Sequence, residues 1–149
     1  MIMQEVKLDD ALLETLISLS GDWAAENSCY GYYQNKRSDI EGNRVFLAAE
    51  EDSVQAYLIG HVCTAERTSS IMEEGTPYFE VDELYVRSEL RSRGIGRALY
   101  SFAEETVKAE GVDFMMLTTA TKDYKKILHF YIEEMGLDFW SARLYKKLR

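Results

Sequence analysis

Residues 91–96 read Arg-Ser-Arg-Gly-Ile-Gly, between the strand-like run Glu80-Val81-Asp82-Glu83-Leu84-Tyr85-Val86 and a stretch with helical spacing. A glycine turn entering a helix leaves backbone N–H groups without intrahelical partners, aimed outward at the positive end of the helix dipole. Gly94 and Gly96 let the main chain approach an anion closely, because no Cβ intervenes. Arg91, Arg93 and Arg97 add three cations to this turn in a chain of formal net charge −9. The chemistry this pattern suits is the holding of a phosphate or pyrophosphate.

Spacing narrows the choice of anion. A dinucleotide fingerprint places a third small residue where Leu99 stands, and an acidic residue after the next strand, where the chain has Thr118-Thr119-Ala120. The Gly-Lys-Ser/Thr of a nucleotide P-loop is absent. What remains, Arg/Gln-x-x-Gly-x-Gly/Ala behind Leu84-Tyr85-Val86, resembles the acyl-CoA-binding motif of the GNAT family of N-acetyltransferases. A second segment, His129-Phe130-Tyr131-Ile132-Glu133-Glu134-Met135-Gly136-Leu137, resembles the family's later Phe-Tyr-x-x-x-Gly-Phe segment, with Leu137 in place of the aromatic. The resemblance covers residues 44–148 in element order and 80–137 in motif detail.

The resemblance implies acetyl transfer from acetyl-CoA to a primary amine. The pyrophosphate would sit on Arg91, Ser92, Arg93, Gly94, Ile95, Gly96, Arg97 and Ala98, and the pantetheine would bond the main chain of Leu84, Tyr85 and Val86 like an added strand. Tyr131 matches the family tyrosine that protonates the departing thiolate. Many relatives carry Asn where this chain has Tyr124, which makes Tyr124 a candidate contact to the cosubstrate. Strand alternation puts Glu80, Asp82, Leu84 and Val86 on one face, and Val81, Glu83 and Tyr85 on the other. The family often has a carboxylate on this strand two or four positions before the residue matching Leu84, so the resemblance makes Asp82 and Glu80 the candidate base, acting through water, and Glu83, on the other face, a structural hydrogen-bonding group. Two other readings stay open: a non-catalytic acyl-CoA sensor, and acetylation of a protein N-terminus or lysine.

Composition bounds the partners. The 149 residues, 46% hydrophobic and 29% charged, suit one soluble domain over 1–149. The negative charge argues against nucleic acid and is compatible with a cationic small-molecule acceptor. No apolar run reaches membrane-spanning length and no leader pattern is present, so the cytoplasm is expected, with Cys29 and Cys63 as reduced thiols. His61 and His129 fall in no metal-ligating spacing and read as structural or surface residues, so no metal is expected. A homodimer is left open.

The elements that must position these residues follow from periodicity. A strand is expected over 2–8, then a helix capped by Asp9 or Asp10 and ended by Gly21. The segment 22–43 reads as a short helix and an irregular loop, whose aromatic part, 23–33, suits an acceptor pocket or core packing equally. Residues 44–50 and 53–64 read as a hairpin turned at Glu51-Asp52. A strand over 77–86, a helix over 94–110 and a strand over 112–119 form a parallel crossover. The 94–110 helix carries Ile95, Ala98, Leu99, Phe102, Ala103 and Val107 on its inward stripe. A helix over 124–135 and a last strand over 139–147 complete an α/β fold, a mixed central β-sheet flanked by helices.

Overall fold

Hydrophobic alternation in four consecutive segments builds an antiparallel sheet, and a helical crossover adds one parallel strand. The computed structural model describes residues 1–149: β1 (Ile2–Val6), α1 (Asp10–Ala25), α2 (Arg37–Ile40), β2 (Arg44–Glu50), β3 (Ser53–Thr64), β4 (Pro77–Val86), α3 (Ile95–Ala109), β5 (Phe114–Leu117) and α4 (Tyr124–Leu128). The helix begun by α4 continues with π-type winding over His129–Glu134. The sheet runs β1-β2-β3-β4-β5, with only β4 and β5 parallel.

Each face of the sheet buries its own cluster. On one, Phe46, Leu58, Phe79 and Val81 meet Ile95, Leu99, Tyr100, Ala103 and Val107 of α3, with Tyr131 beside them. On the other, Val45, Leu47, Tyr57, Ile59 and Tyr85 meet Leu13, Leu16 and Leu19 of α1. The α3 stripe differs from expectation at two positions: Ala98 is exposed, and Tyr100 is fully buried in its place. Asp9 caps α1 by accepting from the Leu12 N–H at 2.8 Å. Glu51 and Asp52 turn the β2–β3 hairpin with φ of 48° and 63°.

Three expectations are corrected. Gly21 does not end α1, which runs on to Ala25. Gly21 instead gives room to Gln34, since a Cβ there would lie 2.6 Å from Gln34 Nε2. Residues 139–147 form no strand. Leu144 and Tyr145 stand 95% and 76% exposed, so the alternating side chains have found no sheet edge in this chain. The β4 alternation is also broken: Ile59 pairs with Glu83 but Gly60 pairs with Val81, leaving Asp82 as the extra residue of a bulge. Phe79, Val81, Leu84 and Val86 therefore face α3. Glu80 lies on the α1 side with Glu83 and Tyr85, opposite the face that uninterrupted alternation assigns to Leu84.

Candidate active site

Strands β4 and β5 pair only over Tyr78–Val81 and Phe114–Leu117. Beyond Val81, β4 continues to Val86 without a β5 partner, so a gap opens between the two parallel strands. Past the end of β5, residues 28–30 lie along the chain: the Tyr30 N–H donates to Ala120 O and the Lys122 N–H to Ser28 O, each at 2.9 Å. The gap is thus bounded by β4, the extension of β5 and the loop that follows α1.

Helix α3 starts beside this gap. Gly94 is its N-cap, with φ 80° and open space where a Cβ would stand. The first helical bond is from the Ala98 N–H to Gly94 O, 3.0 Å, and no backbone carbonyl accepts from Ile95, Gly96 or Arg97. Gly96 packs close to the neighbouring elements, since its Cβ would meet Val86 Cγ2 at 3.4 Å and the Phe130 ring at 3.7 Å. Ser92 adopts φ 62°, which turns the chain sharply into the helix.

Of the three arginines, two are free. Arg93 and Arg97 are exposed and make no ion pair. Arg91 is instead a strut. Its Nη1 and Nη2 donate to Glu26 at 2.8 and 2.7 Å, its Nε donates to Val86 O at 2.9 Å, and its guanidinium lies 5.4 Å from the Tyr85 ring centroid. In this structure the guanidinium is thus held by Glu26, the Val86 carbonyl and the Tyr85 ring. Tyr124 opens α4, largely exposed, behind an Asp123 cap that accepts from the Lys126 N–H at 3.2 Å.

Tyr131 falls in the π-type turn, where the Met135 N–H reaches back five residues to Phe130 O at 3.0 Å. Its ring is buried against Phe130 and Tyr100, at centroid distances of 5.0 and 6.1 Å. Burial, and secondarily the Cys29 thiol, push its phenol up to about 12, so the hydroxyl keeps its proton at neutral pH. Cys29 thereby belongs to the surroundings of Tyr131, a neighbour that sequence order does not reveal.

Three acids stand on β4 where its pairing with β5 ends: Glu80 within the paired stretch, Asp82 and Glu83 beyond it. Burial, then the Asp82 charge, raises the Glu80 carboxyl above its usual range, and nearby His61 acts in the opposite sense. Asp82 Oδ2 lies 2.9 Å from His61 Nδ1. Glu83 accepts from Tyr57 Oη at 2.8 Å, Asn35 Nδ2 at 2.8 Å and Tyr32 Oη at 3.2 Å. Its carboxyl is raised by burial, and these three donors partly restore it. The aromatic segment divides in two. Trp23 and Tyr32 pack on each other and Trp23 on Tyr85, at 4.3 and 5.6 Å, whereas Tyr30 and Tyr33 stay exposed. Gly60, inside a long strand, is the one sequence signal for the bulge that gathers these acids.

A cradle of free N–H groups at the start of α3 thus stands beside a strand gap. A family model described as the acetyltransferase (GNAT) family matches residues 11–137. The chain belongs to the GNAT acetyltransferase family. Among solved structures, this acetyltransferase is similar to the aminoglycoside acetyltransferase HMB0005 from an uncultured soil metagenomic sample, with 19% identity over 100% of both chains and a TM-score of 0.71. It is also similar to a tetramutant of the BH1408 protein of Bacillus halodurans, with 17% identity, coverage of 99% and 100%, and a TM-score of 0.69. The aminoglycoside N-acetyltransferase AAC(6')-Iy, solved with CoA, gives 12% identity, 99% coverage of each chain and a TM-score of 0.66. At such identities the likeness shows a shared fold. No functionally curated protein matches the chain significantly. As a GNAT N-acetyltransferase the enzyme takes acetyl-CoA as cosubstrate, and the start of α3 fits it: unpartnered N–H groups, open space at Gly94 and two free arginines.

Proposed function

We propose that this acetyltransferase transfers an acetyl group from acetyl-CoA to the primary amine of a cationic small molecule. The observation that carries the reading is the β4–β5 gap, opening beside the glycine start of α3. The free N–H groups of residues 95–97, with Arg93 and Arg97, hold the pyrophosphate. The main chain of Leu84, Tyr85 and Val86 bonds the pantetheine amides.

Acetyl-CoA supplies a thioester whose carbonyl carbon the amine attacks directly. A backbone N–H near Leu84 stabilises the oxyanion, and Tyr131 donates its proton to the leaving thiolate. Glu80 and Asp82 attract the ammonium group and offer an outlet for its proton. The preference for a cationic acceptor is supported by this acidic cluster and by the fold neighbours, one of them solved with sisomicin and another with a CoA–acetylneamine bisubstrate analogue. The two unpaired cysteines support a cytoplasmic setting. We include a homodimer in the reading, because the apolar side chains of residues 139–148 are left uncovered in one copy.

The test is release of CoA thiol from acetyl-CoA across a panel of amines, including aminoglycosides, polyamines and peptides with free N-termini or lysines. Turnover on small polycationic amines above that on peptides is expected. Binding of acetyl-CoA without turnover on any amine would leave a sensor module in place of an enzyme.

A further inference from the structure

Beside the bulge in β4, His61 of β3 and Asp82 of β4 form a pair. Gly60 of β3 stands opposite the bulge, and a Cβ there would lie 2.3 Å from Glu80 O and 2.5 Å from the Phe79 ring. With no Cβ in the way, β4 carries one residue more than β3 at this point, and Asp82 leaves the strict alternation. Its carboxylate reaches His61, whose register partner is Glu80. An imidazole with Nδ1 turned to a carboxylate donates its proton there and presents Nε2 as a lone pair. His61 makes no other hydrogen bond and is half-exposed, so Nε2 is open to an incoming group.

We propose that His61 Nε2 takes the proton of the acceptor ammonium, with Asp82 as the positioning residue that fixes the imidazole and Glu80 as the anchor for the cation. This rests on the transferase reading above and moves the proton outlet from the two carboxylates to His61. One N–H proton passes from the ammonium to His61, and the freed lone pair forms the C–N bond to the thioester carbonyl. When the C–S bond breaks, the thiolate gains the Tyr131 proton. The second proton lost by the acceptor nitrogen restores Tyr131 through solvent, and His61 releases its proton to water. Net, one proton appears per amide and thiol formed. The charged groups facing His61 across β4 are Glu80 and Asp82. β2 begins at Arg44, opposite Gly60, so His61 has no β2 register partner, and the next residue on the same face of β3 is Cys63.

The experiment measures kcat and KM against pH for wild type, H61Q and D82N on the best amine found. H61A with added imidazole serves as the second His61 variant, and acetyl-CoA binding is followed by calorimetry. Expected results are a loss of about 100-fold or more in kcat for H61Q, disappearance of the acid limb of the profile, and unchanged acetyl-CoA affinity. Imidazole should restore rate to H61A. Nitrogen NMR of the intact enzyme should show His61 protonated on Nδ1 in wild type, with that preference lost in D82N. H61Q turning over within twofold of wild type with the same acid limb would overturn the assignment alone. A wild-type enzyme inactive on every amine would overturn the transferase reading as well.

Discussion

Tyr100 carries its hydroxyl into the α3 face of the core, where no group bonds it. An unsatisfied buried hydroxyl costs about 1–3 kcal/mol, so Tyr100→Phe should stabilise the fold by about 1 kcal/mol, read as a higher urea midpoint at unchanged slope. A lower midpoint would mean that something outside the polypeptide bonds this hydroxyl. The two glycines of the turn should behave differently. Gly94 has positive φ, so Gly94→Val strains the turn and should abolish acetyl-CoA binding in calorimetry. A Cβ at Gly96 meets its neighbours at ordinary contact distance, so Gly96→Ala should bind. Tyr131→Phe should lower kcat about 100-fold with acetyl-CoA affinity unchanged, because the ring packing survives and only the proton donor goes.

Glu83 shows how a carboxylate can hold a loop. Three donors from β3 and the loop after α1 converge on it, and burial raises its pKa. In such a case the unfolded chain releases its proton first as pH rises. Stability from this group therefore falls from the ordinary value of about 4.3 up to the folded value, then stays level. Denaturation midpoints of wild type relative to Glu83→Gln should decline across that window and no further.

At the scale of elements, the features that local chemistry dictates were legible. The Asp9 cap, the Glu51-Asp52 turn, the Gly94 start of α3 and the crossover to β5 all follow from residues near in sequence. Features that depend on a partner were not. Alternation along β4 assumes an unbroken ladder, but the pairing of Gly60 with Val81 shifts it and moves Glu80 to the other face. Residues 139–147 alternate like a strand, yet a strand exists only where an edge receives it. The spacing of 124–135 is helical, but the turn at Tyr131 is wound more widely than 3.6 residues, because its bonds reach five residues back. Gly60 is the element-scale weak point. Gly60→Ala presses a methyl into backbone and an aromatic ring, and should cost about 3 kcal/mol, measured by chemical denaturation.

Over the whole molecule, charge is divided unevenly. Residues 138–149 hold one acidic and four basic side chains, so a basic, apolar tail is attached to a strongly acidic body. Within one copy the tail is fixed by Trp140 Nε1 to Ser70 Oγ at 2.9 Å and by an edge contact between Tyr145 and Tyr30 at 5.9 Å. If the tail joins two copies, removal of residues 138–149 should convert a dimer to a monomer in light scattering, and raising salt should weaken the intact dimer. A monomer before and after removal would exclude the tail from assembly.

Arg91 links three places at once: the carbonyl of Val86 where β4 ends, the ring of Tyr85, and Glu26 at the end of α1. Two residues beyond Glu26 begins the stretch that borders the gap beside Ala120. On the proposed reading, the cosubstrate on the glycine turn and the edge beside the gap share this one strut. The expected consequence, to be tested, is a sequence of arrival in which the nucleotide-bearing substrate enters first and leaves last. Product inhibition would show it as CoA competing with acetyl-CoA but not with the amine, and Arg91→Ala should loosen that order toward random entry.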